Sequence, residues 1–196
     1  KFAYPCSMQA YRPRIVDGIL ETYLAASPAV QLEGARACGK TTTGMQAASS
    51  SAQIDRLGAD IDQMVNLNPG AFLEGATPRL LDEWQLAPSL WGAVRRAVDD
   101  DPTPGQFILS GSAWPDSETI KHPGAGRILN LVMRPMTLFE SGDSSGGFSL
   151  RRLLDGEDPL YGDQSSTHQI SDVCRLITRG GWPAWIDREA DTAELL

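Results

Sequence analysis

The sequence predicts a three-layer α/β fold, a mostly parallel five-stranded sheet with helices on both faces, carrying a short helical C-terminal extension. Short apolar runs alternate with amphipathic helical segments, and parallel strands need such crossovers because both sheet faces must be covered. The first of those runs passes through a tight glycine-bounded loop straight into a helix. The length also suits one such domain with a full core and a small appendage, since 196 residues are 41% apolar.

Taken in order, RIVDGILETYLAA from Arg14 puts Ile15, Ile19, Leu20, Tyr23 and Leu24 on one helical face, and Ser27-Pro28 stops the helix. Ala29-Val30-Gln31-Leu32 reads as the first strand, GARACG as the loop, and KTTTGMQAASS as the next helix. A weaker strand is expected at Ala52 to Asp55, followed by a short helical connection around Leu67 to Leu73. Arg79 to Glu83 is a short apolar run ending in two carboxylates. SLWGAVRRAVDD then forms a helix with Leu90, Val94, Ala97 and Val98 on its apolar face, closed by the Pro102-Thr103-Pro104-Gly105 turn. Phe107-Ile108-Leu109 begins a strand that ends in Ser110-Gly111-Ser112, and Ile128 to Met133 alternates as a further one.

Beyond Glu140 the composition turns to glycine, serine and aspartate, with one or two helical turns expected at Leu150 to Leu154. Four segments follow: residues 1–10 as an arm without assigned function, native or left from expression; 11–141 as the main domain; 142–169 as a Gly/Ser-rich linker; and 170–196 as a helical extension. That extension holds a helix around Ser171 to Thr178, a Gly180-Gly181-Trp182-Pro183 break and a final polar helix, too little to make a core of its own.

The charge balance excludes some function classes. With 17 Lys and Arg against 25 Asp and Glu, a net charge of −8 argues against a bare nucleic-acid binder, which needs a dense cationic face. Cys6, Cys38 and Cys174 are an odd number at wide spacing, so neither a disulfide framework nor a paired-cysteine metal site is expected. No apolar run approaches the roughly 18 residues that span a bilayer, and the opening stretch lacks the apolar core of a signal peptide. The expected location is the cytoplasm, with no membrane partner.

The chemistry concentrates in Gly34-Ala35-Arg36-Ala37-Cys38-Gly39-Lys40-Thr41, which fits the phosphate-loop pattern G-x-x-x-x-G-K-[ST] at every fixed position. Glycines allow the loop to turn its backbone N–H groups onto phosphate oxygens, and the following helix adds its positive end. The backbone of Gly34 to Gly39, continuing through Lys40, Thr41 and Thr42, is thus the expected ATP site. The Lys40 ammonium would reach the β and γ phosphates and the Thr41 hydroxyl would ligate Mg²⁺. Cys38 is read as a small apolar side chain inside the loop, in preference to a redox centre.

Asp82 and Glu83 supply the second half of a hydrolase. An aspartate at a strand tip would complete the magnesium shell opposite Thr41, and the adjacent glutamate would polarise an attacking water. The spacing from Lys40 to Asp82 suits a P-loop NTPase fold with an extra strand between the two motifs. At the next strand tip, Ser110-Gly111-Ser112, a hydroxyl would sense the γ-phosphate or hold the attacking water. Arg127 is a candidate for transition-state charge, in cis or from a neighbouring subunit.

These motifs resemble the bacterial and archaeal AAA-like ATPases in which an N-terminal P-loop domain precedes a C-terminal domain of unknown function. The resemblance spans Tyr11 to about Ala184 and rests on YRPRIVDGIL, LEGARACGKTTT, RLLDEWQLAPSLW, GQFILSGSA, GAGRI, MRPMTLFE and RGGWPAW. It implies Asp82 as the magnesium aspartate, Glu83 as the base, Ser112 as the sensor and Arg127 as the arginine that follows a glycine. Ala35 stands where many members carry proline. Such proteins usually continue beyond the Gly-Gly-Trp-Pro segment, so the extension is read as the start of a further domain through which a protein or DNA partner would act.

Two other readings stay open. A nucleotide or small-molecule kinase would need an arginine-bearing lid, for which Arg151-Arg152 is the candidate. A nucleotide-gated binding module would use ATP to set its shape while hydrolysing it negligibly. A homo-oligomer follows only if Arg127 acts in trans.

Overall fold

The computed structural model describes residues 11–58, 61–111, 124–160 and 168–187. Five parallel strands form one sheet: β1 Ala29–Gly34, β2 Ser50–Gln53, β3 Arg79–Asp82, β4 Phe107–Gly111 and β5 Ile128–Met133. Their order across the sheet is β2-β3-β4-β1-β5, so β4 lies between the strand that feeds the loop and the strand that ends in Asp82. The sheet is parallel throughout and confirms the predicted three-layer α/β, P-loop NTPase fold.

Alternate strand residues feed two separate cores. On one face Val30, Leu32, Leu80, Ile108, Leu131 and Met133 pack with α1 Ile15–Ala26 and with Cys38 just before α2 Lys40–Ala47. On the other, Leu81, Phe107, Leu109 and Ile128 meet Val65 of α3 Ile61–Leu67 and Leu90, Trp91, Val94 and Val98 of α4 Ser89–Asp100. Trp84 and Trp91 stack there with ring centroids 5.0 Å apart. Strands buried on both faces read as unbroken apolar runs, and β4 is buried at every position.

Most elements fall where expected, with three shifts. The second strand is Ser50–Gln53, two residues before its expected position, and Ile54–Arg56 is a 3-10 turn. The connection after it holds a full α-helix, α3, before the 3-10 turn Pro69–Phe72. In α1 Leu20 and Leu24 are buried as expected and are joined by Val16, whereas Ile15 and Ile19 are 56% and 41% exposed. The stripes through Ile15 and through Val16 differ by a single residue, about 100° of rotation. Val16, Leu20 and Leu24 pack against the sheet in one core, and the Ile15 N–H at the helix start donates to Glu140 Oε1 at 2.7 Å.

Helix α2 approaches the sheet through a glycine. A Cβ on Gly44 would stand 2.9 Å from Leu80 Cδ1, a fully buried side chain. Alanine there would gain about 1 kcal/mol of helix propensity, which offsets much of its crowding. Valine adds two further methyls and loses that benefit, so Gly44→Val is expected to destabilise the fold by about 2 kcal/mol, read as a lower urea midpoint.

After β5 the chain forms α5 Leu150–Leu154 and α6 Ile170–Arg179. The C-terminal segment folds back onto earlier parts of the chain. Met136 N–H donates to Gly181 O at 2.6 Å, Arg179 pairs with Asp143 at 2.5 Å, and Arg12 pairs with Asp187 at 2.5 Å. The expected final polar helix lies outside the described residues.

Candidate functional site

The loop 35–39 leaves β1 at the C-terminal edge of the sheet and is bounded by two glycines with positive φ, Gly34 and Gly39. Gly34 has φ 156° and lies so close to β5 that a Cβ would come 2.1 Å from Met133 O. Gly39 caps α2 at φ 104°, and Ala37 adopts φ 62°, so positive-φ residues recur through the turn. A tight turn of this kind before a helix leaves backbone N–H groups available to an anion, although the Cys38 N–H donates to Ala35 O at 3.3 Å. Cys38 is fully buried with Sγ 3.7 Å from Met133 O, so it serves as packing inside the loop. Ala35, Arg36, Ala37 and Thr42 remain exposed.

Lys40 is only 6% exposed and its ammonium donates to Gly34 O and Ala35 O, each at 2.9 Å. The cation thus sits on the loop's own carbonyls, neutral dipoles that an anionic phosphate oxygen would outbid.

Asp82 ends β3 directly opposite Ser110 of β4 in the parallel register. Thr41 Oγ1 donates to Asp82 Oδ1 at 3.0 Å, and the fully buried Ser110 hydroxyl donates to the same oxygen. One strand crossing therefore brings the first residues of α2 and the carboxylate together. Hydroxyl and carboxylate oxygens are the hard donors Mg²⁺ prefers, and that ion takes only one or two carboxylates beside substrate phosphates. Among the described residues no cluster of three or more His, Cys, Asp or Glu could hold a metal by itself.

Glu83 follows in a left-handed conformation at φ 55°, costly for a non-glycine residue. It is half-buried, and its Oε2 accepts from Gln85 Nε2. Sequence reasoning passed over Gln85, although its position two residues beyond Glu83 in a 3-10 turn places it against the carboxylate.

Ser112 lies outside the described residues, and Ser110 is the hydroxyl of this strand that meets Asp82. Arg127 does not join the cluster. It precedes β5, whose first residue pairs with Ala29 at the start of β1, and its guanidinium pairs with Asp99. The length of the sheet, about 17 Å for six residues, separates it from the loop, so the geometry does not support a role in cis. Arg151 and Arg152 pair with Asp155 and Glu157 of their own segment.

Arg14 was also missed as a site residue. It is 7% exposed and reaches under the loop: Nη1 donates to Cys38 O at 3.0 Å, Nη2 to Arg134 O at 2.9 Å, and Nε to Glu140 Oε1 at 3.0 Å. Burial pushes the Glu140 carboxyl up, but bonds from the Thr137 and Ile15 N–H groups, the Thr137 hydroxyl and Arg14 outweigh it and hold the group below its ordinary value. Beside it, Tyr11 donates to Asp17 at 2.7 Å and meets Thr43 Oγ1 at 3.1 Å, and burial pushes its phenol up to about 12.

No helix among the described residues is long and apolar enough to cross a membrane. Residues 26–141, more than half of the chain, match the sequence profile of a family described as AAA domain. Among curated proteins none matches this sequence.

Proposed function

The chain belongs to the AAA domain family, and on that premise we propose that it is a Mg²⁺-dependent ATPase acting in the cytoplasm. The carrying observation is the junction of Thr41, Asp82 and Ser110 at the mouth of the loop. The N–H groups left free by the loop and by the first turn of α2 would hold the β and γ phosphates, with Lys40 leaving its two carbonyls for them. Thr41 and Asp82 would hold Mg²⁺, which would supply charge neutralisation on the phosphates. Glu83 orients the attacking water as its base, and Ser110, with Ser112 beyond it, fixes the carboxylate and senses the γ-phosphate. Arg127 serves, in this reading, only from a neighbouring subunit of a homo-oligomer, and hydrolysis drives an attached or partner domain.

The test is phosphate release from ATP with Mg²⁺ and with EDTA, on the parent and on Asp82→Asn. The parent should turn over only with the metal, and Asp82→Asn should need at least tenfold more Mg²⁺ for half-maximal rate, since one of its two protein ligands loses its charge. A parent equally active in EDTA would sink the assignment.

One observation favours a second reading, a nucleotide-gated module that hydrolyses ATP negligibly. The Glu83 carboxylate is engaged by Gln85, so the base is restrained in the resting protein.

A further inference from the structure

Arg14 lies in the segment before the first strand and has no chemical role assigned above, yet it touches three separate parts of the site. Its guanidinium is shared between the loop at Cys38, the exit of β5 at Arg134 and the carboxylate of Glu140. Both members of the ion pair have side chains only 5% exposed. Glu140 is itself fixed on three further donors, Ile15 N–H at 2.7 Å, Thr137 N–H at 2.7 Å and Thr137 Oγ1 at 3.0 Å. The carboxylate is therefore an anchor, and the arginine is a strut that runs from it to the underside of the loop.

The contact at Cys38 O has a consequence one atom further on. The Cys38–Gly39 peptide is planar and trans, so its carbonyl and its N–H point in opposite directions. Holding the Cys38 oxygen down onto Arg14 turns the Gly39 N–H the other way. This N–H belongs to the first turn of α2, where amides have no partner within the helix. Gly39 is close enough to the strut that a Cβ on it would stand 3.2 Å from Arg14 Nη1.

We propose that Arg14, braced by Glu140, is a positioning residue that orients the Cys38–Gly39 peptide so that the Gly39 N–H meets a nucleotide phosphate. The inference rests on the nucleotide reading given above. Arginine is required because a planar fork can hold three acceptors at once, whereas the single ammonium of lysine keeps the charge and loses the geometry.

The test titrates the parent, Lys40→Ala, Arg14→Lys and Glu140→Gln with MgADP by calorimetry, at a temperature where circular dichroism shows each to be folded. The amide resonance of Gly39 is followed in the same titrations. Arg14→Lys is expected to bind about 10- to 100-fold more weakly, as misplacing a preorganised group by about an ångström does. Glu140→Gln should lose less in the same direction, and the downfield movement of the Gly39 amide on ADP binding should be present in the parent and absent in Arg14→Lys. If Arg14→Lys does not fold, the affinity and Gly39 resonance of Glu140→Gln decide. Folded variants with a lowered melting temperature but parental affinity and a parental Gly39 shift overturn the positioning role. A parent that binds no ADP overturns the nucleotide reading itself, whereas a parent that binds while only Lys40→Ala fails overturns the strut alone.

Discussion

Lys40→Ala is expected to weaken ATP binding by about 3 kcal/mol, roughly a hundredfold, while leaving the protein folded. The estimate follows from two charge-assisted hydrogen bonds to phosphate, each of about 1.5–3 kcal/mol, less what the resting bonds to Gly34 O and Ala35 O already supply. The resting state is the reason folding should survive. Lys40 is buried against neutral carbonyls, with no carboxylate among the partners of its ammonium, and a buried cation so held adds little to stability. Lys40→Met keeps the aliphatic stem and removes the charge alone, so it separates packing from electrostatics. Titration of both variants with ATP checks the expectation. Equal affinity in parent and variants would mean that the loop is a glycine-rich turn with no phosphate to hold.

The loop and the acidic strand tip were legible in the sequence for a local reason. Between Gly34 and Thr41, backbone shape and chemistry are written in consecutive residues, so the pattern alone locates the anion hollow. The sheet was legible because strands buried on both faces read as apolar runs, and the short β3 kept its two leucines. Other features depend on long-range contacts that leave no periodic trace. Arg14 lies 126 residues from Glu140, and an arginine before a helix reads as a solvated surface residue until the fold closes over it. In α1 the sequence placed Leu20 and Leu24 on the inward face but set Ile15 and Ile19 beside them in place of Val16, since packing on the sheet decides which flank of the stripe is covered. The hydroxyl of Ser110 against Asp82 needed the parallel register, because the sequence alone offers two serines around Gly111 and only pairing with β3 shows Ser110 opposite the carboxylate. Arg127 follows a glycine just as a site arginine would, but the strand after it runs the full height of the sheet.

Glu83→Gln is expected to bind ATP within about twofold of the parent and to lose hydrolysis by roughly 10²- to 10⁴-fold, the range that a positioned general base contributes. The substitution is isosteric, so the left-handed backbone at φ 55° and the 3-10 turn behind it have no steric reason to move. What changes is the acceptor. A carboxylate can draw a proton from water, while an amide cannot, and the amide of Gln85 that now donates to Glu83 Oε2 would find a neutral oxygen in its place. Binding is spared because the phosphates are met by the loop, Lys40 and Thr41, none of which depends on the Glu83 side chain. Single-turnover phosphate release beside equilibrium binding separates the two quantities. A parent that turns over and a variant that binds without turnover support Glu83 as the base. A parent that binds ATP yet is as inert as Glu83→Gln points to the gated module, in which Gln85 keeps the carboxylate from the water and ATP acts by the shape it stabilises.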